Sequence, residues 1–312
     1  KQPFQERDAI SLLETVDAAT GQRQVLKEFR HLIEAPNWLP GGDALLYNAG
    51  GRLWKFHLDT LESEAVDTGF ADCCNHDHVL SPDGTQVGIS HGTGEDGRSR
   101  VDTLPLAGGV PRLITPRAPS YLHGWSPDGR TLAYCAGRNG EFDIYTIPVE
   151  GGEETRLTHT PGLNDGPEYS PDGKHIWFNS VRSGLMQVWR MNADGSDQTR
   201  MTWEEDLTCW FTHLSPDGTQ VAYIAYKKGD VEPGDHPAHK NVEIRVMDAG
   251  GQNTRVLAKL FGGQGTLNVN SWSPAGKKLA FGSYRLKYKH THPSGKPGRE
   301  PRLPHPESGG LI

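Results

Sequence analysis

The chain is predicted to fold as an all-β, six-bladed propeller, and three observations carry that reading. Ser-Pro-x-Gly recurs at Ser81, Ser126, Ser170, Ser215 and Ser273, with a degenerate counterpart, Leu39-Pro40-Gly41-Gly42, ahead of them. Successive copies are 42, 45, 44, 45 and 58 residues apart, and a period in the low forties with a short-strand pattern in each unit is the signature of a propeller blade. The 312 residues include 38 Gly and 22 Pro, as many short strands and turns require, and six blades of roughly 45 residues use about 270 of them.

Taken in chain order, the first elements are a pair of strands at 10–16 and 24–29, joined by a turn at Thr20-Gly21. They precede the first repeat, and the last repeat has only its first two strands, at 268–272 and 278–284. The N-terminal pair is therefore expected to complete the last blade and close the ring, which removes open sheet edges. Each repeat in between reads alike. An apolar or aromatic residue (Trp38, Leu80, Trp125, Tyr169, Leu214, Trp272) precedes the Pro-Asp-Gly turn, where proline presets φ and glycine accepts a positive φ. A β-rich run such as 131–134 follows, then an alternating third strand, as at 143–147 and 188–191. Turns at Gly108-Gly109, Gly151-Gly152, Asp194-Gly195 and Gly250-Gly251 lead to a fourth, ending near 112–114 or 156–158. Asp83, Asp128, Asp172 and Asp217 of the turns are assigned to structure, since Asp side chains hydrogen-bond turn backbone. The propeller is assigned to residues 1–287. Residues 288–312, rich in Pro, Gly and charge, are expected to be an extended tail.

A formal charge of −7 argues against a nucleic-acid partner, which would select a basic stripe, and no stretch reads as a membrane span. The first residue is Lys, so a removed signal peptide would place the chain in the periplasm or outside the cell, and otherwise it is cytoplasmic. A monomer is expected. Cys73, Cys74, Cys135 and Cys209 form no CxxC pair, so no zinc knuckle is written here and buried free thiols are expected. No phosphate loop, GxSxG elbow, HExxH or EF-hand pattern is present.

The unit Trp-Ser-Pro-Asp-Gly-x-x-Leu-Ala-Tyr at 125–134, and its variant with Ala275 at 272–281, resembles the repeat of the TolB-like six-bladed propellers over roughly residues 9–287. The stretches 139–145, 165–169 and 262–266 resemble those of stand-alone bacterial members, with no segment here for the α/β domain that precedes the propeller in TolB. Oligogalacturonate lyase is similar in having TolB-like repeats, and implies a metal held by His and Gln side chains over the central channel.

In a propeller, the residues three to six places before each turn serine lie around one rim of the channel. Here they are polar: Glu34; Asn75, His76, Asp77 and His78; Tyr121 and His123; Asn164 and Asp165; Trp210, with His213 just after it; Asn268 and Asn270, with Gln264 just ahead of them. Loops between second and third strands open on the same rim and add Arg138, Asn139, Glu141, Arg182 and, from the insertion in the fifth repeat, Asp235, His236 and His239. Such a funnel is a site candidate, although water-filled channels are polar without being sites. His78, His123 and His213 are the candidate ligands of a divalent metal and, with Asp165, the candidate catalytic groups. Glu168 is a further acid or base, or else bonds a turn. Arg138 and Arg182 suit a substrate carboxylate, or close over a neighbouring blade. Trp210 and Tyr121 offer flat faces to a sugar ring, or pack between blades.

Two functions stay open. One is binding, with or without cleavage, of an acidic oligosaccharide or similar small polar ligand, by metal-assisted β-elimination or hydrolysis. The other is a propeller scaffold presenting its top face to a protein partner.

Overall fold

The structure, a computed structural model, describes residues 9–92 and 94–287. Six antiparallel sheets form the ring. Blade one is built from Glu34–Trp38, Ala44–Ala49, Arg52–His57 and Ser63–Ala65. Blades two to four follow the same order, with inner strands Cys74–Leu80, Ser120–Trp125 and Asn164–Tyr169 and outer strands of two residues each. Blade five is larger, Leu207–Leu214, Gln220–Lys227, Lys240–Asp248 and Arg255–Gly262.

The ring closes as the repeat count requires. Ala9–Asp17 pairs with Lys278–Leu286 on one side and Arg23–Phe29 on the other, so the chain's two ends share a blade. Leu13 and Val16 are fully buried in it, each contributing about 1.5–3 kcal/mol of apolar burial. One expectation needs correction: residues 268–272 form no strand. A short 3-10 turn, Gln264–Thr266, and a single bridge, Trp272 to Leu279, take its place, and the Trp272 N–H donates to Asn270 Oδ1 at 3.1 Å instead of to a neighbouring strand. The expected tail, 288–312, lies outside the described residues.

The serine turns are built alike. Ser81 Oγ donates to Asp83 Oδ1 at 2.6 Å and accepts the Gln86 N–H at 2.9 Å, and Ser126–Asp128, Ser170–Asp172 and Ser215–Asp217 repeat the bond. These acids are structural, as read from the sequence. Cores lie between blades, where Trp177, Tyr134, Tyr223 and Phe281 are buried.

Every inner strand of blades one to five carries a bulge three to six places before its turn, at 34/37, 74/78, 122/124, 165/168 and 210/213. An extra residue in one strand re-aims side chains and bends the strand. These bulges decide which residues face the channel mouth, and the alternation of a regular strand would not reveal them.

Candidate functional site

A cavity of about 390 Å³ opens at the rim where the bulges cluster. Its polar side is Asn75, His76 and Asp77 from blade two, Tyr121 and His123 from blade three, and Asp165 from blade four. Its apolar side is Cys135, Phe142, Leu163 and Phe211, with Gly234 and His236 of the fifth-blade insertion at the edge.

The polar groups form an alternating row. Glu34 Oε2 lies 3.7 Å from His76 Nδ1, His76 Nε2 lies 3.9 Å from Asp77 Oδ1, and His123 Nε2 stands 3.7 Å from Asp77 Oδ1 and 3.4 Å from Asp165 Oδ1. These separations hold charges together but exceed good hydrogen-bond lengths, so the row keeps hydrogen-bonding capacity for a ligand. Outer bonds fix it in place: Asn268 Nδ2 donates to Asp77 Oδ1 at 2.7 Å, and the Gly166 N–H donates to Asp165 Oδ1 at 2.7 Å.

Phe211 forms the floor under His123, the rings stacked at 5.3 Å and 16°. Its backbone has φ of 48°, a left-handed conformation costly for an aromatic residue, held by the Phe211 N–H donating to Asn179 Oδ1 at 3.1 Å. Gly166 completes the fit. Its φ is 63°, and a Cβ there would meet Asn179 Oδ1 at 2.6 Å and Phe211 Cδ1 at 2.7 Å.

Burial works against charge on His76, but Glu34 and Asp77 outweigh it and raise its pKa to about 9. Burial likewise opposes charge on His123, and Asp77 and Asp165 overcome it and move the pKa upward. Asp165, although burial disfavours its anion, is drawn down to about 2 by His123. His76 and Asp165 thus stand in the row as a cation and an anion at neutral pH, and the carboxylates beside His123 favour its imidazolium. A raised histidine pKa means stabilisation fully present below the ordinary 6.5 and lost as pH rises through about 9. Melting temperature should then fall between those pH values by the equivalent of about 2–3 kcal/mol, and His76→Gln should flatten that part of the profile, measured by scanning calorimetry.

Of the residues singled out from the sequence, Asn75, His76, Asp77, Tyr121, His123, Asp165 and His236 line the cavity. The others are placed differently. His78 is fully buried, its Nε2 3.1 Å from Asn37 Oδ1, and burial with the nearby His76 lowers its pKa to about 3. His213 has Nδ1 at 2.7 Å from Glu168 Oε2 and Nε2 at 3.1 Å from the Leu267 carbonyl. Glu168 also accepts the Leu214 N–H and the Asn270 amide, which makes it a brace between blades four, five and six.

The three imidazoles proposed as metal ligands are thus not brought together: those of His78 and His213 are engaged elsewhere, and no group of three His, Cys, Asp or Glu among the described residues is arranged to hold a metal. The sequence trio does not fit a metal site.

Arg138 is buried against Glu154, with Nε and Nη2 each 2.8 Å from a carboxylate oxygen. Arg182 bonds Ser180, Asn164 and Gln198 and lies 4.8 Å over the Trp189 ring. Both close over their blades rather than facing the cavity. Trp210 is fully buried in the blade-five core. Asn139 occupies a hairpin turn at φ 55° and Glu141 ends that hairpin, exposed. Gln264 holds the insertion, donating to the Asp235 carbonyl at 3.1 Å, and Asn268 serves Asp77 as described.

The sequence reading passed over Phe142, Leu163 and Phe211. Their apolar character pointed to core, and only the bulges and a left-handed backbone turn Phe211 toward the channel.

Residues 79–239 match the TolB β-propeller domain family, a little over half of the chain. The chain is 46% identical over 275 residues to an uncharacterised protein of Agrobacterium fabrum, covering 88% of this chain and 92% of that one. A solved structure from Agrobacterium tumefaciens, provisionally described as TolB, superposes with a TM-score of 0.85 at 46% identity over 89% of this chain and 99% of that one. TolB from Acinetobacter baumannii is similar in fold, with a TM-score of 0.62 and 18% identity over 91% of this chain and 68% of that one. Oligogalacturonate lyase in complex with manganese reaches a TM-score of 0.49 at 18% identity, over 82% of this chain and 75% of that one, and carries no argument about chemistry here. Among the described residues, no helix is long and apolar enough to cross a membrane.

Proposed function

This chain belongs to the TolB β-propeller domain family, and from that premise we propose that it binds a small, hydroxyl-rich ring, of the carbohydrate class, in the rim cavity. The observation that carries the reading is the row Asp77, His123 and Asp165, held at 3.4–3.7 Å in a cavity that Phe211, Phe142 and Leu163 also line. Sugars present hydroxyls at their edge and C–H groups on their faces. A rim of charged acceptors and donors beside a flat aromatic surface matches both at once. The volume is within the range of small-ligand pockets.

His123, whose neighbouring carboxylates favour the imidazolium, can donate a proton to a bound oxygen, and Asp165 can hold the charge left beside it. If cleavage accompanies binding, this pair is where acid catalysis begins.

Calorimetric titration with a panel of neutral and acidic mono- and disaccharides tests the proposal, with chromatography of the same mixtures for products. Asp165→Asn keeps the shape and removes the charge, so it should weaken binding by about ten- to a hundredfold, the worth of one charge-assisted hydrogen bond. A panel in which nothing binds, or binding indifferent to Asp165→Asn and His123→Asn, overturns the reading. The scaffold alternative would then stand on the exposed Phe70, Val110 and Leu113, which are 54%, 74% and 50% accessible near the junction of blades one and two.

A further inference from the structure

A second, more open groove of about 570 Å³ adjoins the cavity, walled by Cys73, Asn75, Arg98, Ser99, Pro119 and Tyr121 among others. Asn75 and Tyr121 line both spaces, so a ligand longer than one ring can reach from one into the other across them.

The groove has an excess of donors. The Ser99 hydroxyl is buried, with the residue 8% accessible, and has no hydrogen-bond partner among the described residues. Arg98 is bonded through its backbone, its N–H donating to Asp96 Oδ1 at 3.1 Å and its carbonyl accepting from Arg100 Nη1 at 3.2 Å. Its guanidinium makes no hydrogen bond or ion pair with a described residue. The adjacent acid, Asp96, is already paired with Arg100 through two bonds of 2.8 Å. Asn75 accepts the Asp77 N–H with its Oδ1, and its amide nitrogen makes no hydrogen bond to a described residue. Burial, followed by Asp77, raises the pKa of the Tyr121 hydroxyl, and the field of the nearby Arg98 acts in the opposite sense. Asp72, bonded to Cys73 at 3.5 Å, is the acid flanking the other end.

We propose that this groove is an anion subsite, in which Arg98 anchors a carboxylate carried by the part of the ligand extending from the cavity, with Ser99, Asn75 and Tyr121 as flanking donors. The proposal deepens, and rests on, the ligand-binding reading of the cavity. One guanidinium supplies a single positive charge in a planar fork, the match for a carboxylate rather than for a doubly charged phosphate. The acidic-group recognition that the sequence attributed to Arg138 and Arg182 is thereby moved to Arg98.

Cys73 is a built-in reporter, since Cys74, Cys135 and Cys209 are buried and Cys73 is exposed in the groove. At constant ionic strength, glucuronate at twice its dissociation constant should slow iodoacetamide alkylation of Cys73 about threefold, while glucose leaves the rate unchanged. Arg98→Gln should abolish that protection without altering the melting temperature. Asp165→Asn, tested at twice its own weakened dissociation constant for glucuronate, should preserve it, so failure of the subsite and failure of the cavity reading are told apart. Absence of glucuronate protection, equal protection by glucose, protection surviving Arg98→Gln, or stronger protection by inorganic phosphate would each overturn the assignment.

Discussion

Deleting residues 1–29 is expected to abolish cooperative folding. The deletion removes the third and fourth strands of the sixth blade, and with them the nine-residue pairing of Ala9–Asp17 against Lys278–Leu286. It also removes Leu13 and Val16, both fully buried, and the Glu14 carboxylate that bonds Arg23 and Ser283. Two such side chains alone bury about 3–6 kcal/mol of apolar free energy, comparable to the whole stability of an ordinary domain, about 5–15 kcal/mol. The remaining edge, Lys278–Leu286, would present unpaired backbone along its length. Scanning calorimetry and sedimentation should show no sharp transition and self-association. A truncated chain that melts as a monomer within a few degrees of the parent would mean that the closure contributes little.

Arg138→Ala should be the most costly single change at a residue the sequence suggested for substrate binding, and should cost stability rather than affinity. Its guanidinium bonds Glu154 twice, the Pro119 and Gly137 carbonyls, and Ser120. Removing one partner of a buried pair strands the other, typically at 3–5 kcal/mol. Glu154 would keep Arg117, exposed at 59%, and the Tyr134 hydroxyl, so the low end, about 3 kcal/mol, is expected. Denaturant titration measures it. Arg138→Met combined with Glu154→Leu should cost less than Arg138→Ala alone, since no buried charge is then left unpaired. Ligand affinity in Arg138→Ala, measured under conditions where it remains folded, should match the parent, and a large loss of affinity there would return Arg138 to the site.

The repeat, its period and the split last blade were legible because they depend on local chemistry. A Ser-Pro-Asp-Gly turn writes its own hydrogen bonds within five residues, and Ser81, Ser126, Ser170 and Ser215 make the same ones. The rim was legible in outline for a related reason: strand direction fixes which end of each blade its polar residues reach, and Asp77, Tyr121, His123 and Asp165 arrived where expected. Which rim residues face the cavity was not. His78 sits in the same sequence window as His123 and His213 one place beyond it, yet Asn37, Glu168 and the Leu267 carbonyl, supplied by other blades, hold them in the wall.

The sequence by itself therefore determined the architecture and the band of residues from which a site could be drawn, since turns and periodicity are settled among neighbours in the chain. Only the tertiary structure decided the membership of that site. Bulges in five inner strands, the left-handed Phe211 held by Asn179 of the neighbouring blade 32 residues away, and the engagement of Arg138 by Glu154 and of Arg182 by Gln198, each 16 residues away, made the selection. A side chain's direction is set by the groups that satisfy it once blades meet, and no spacing along the chain records which groups those will be.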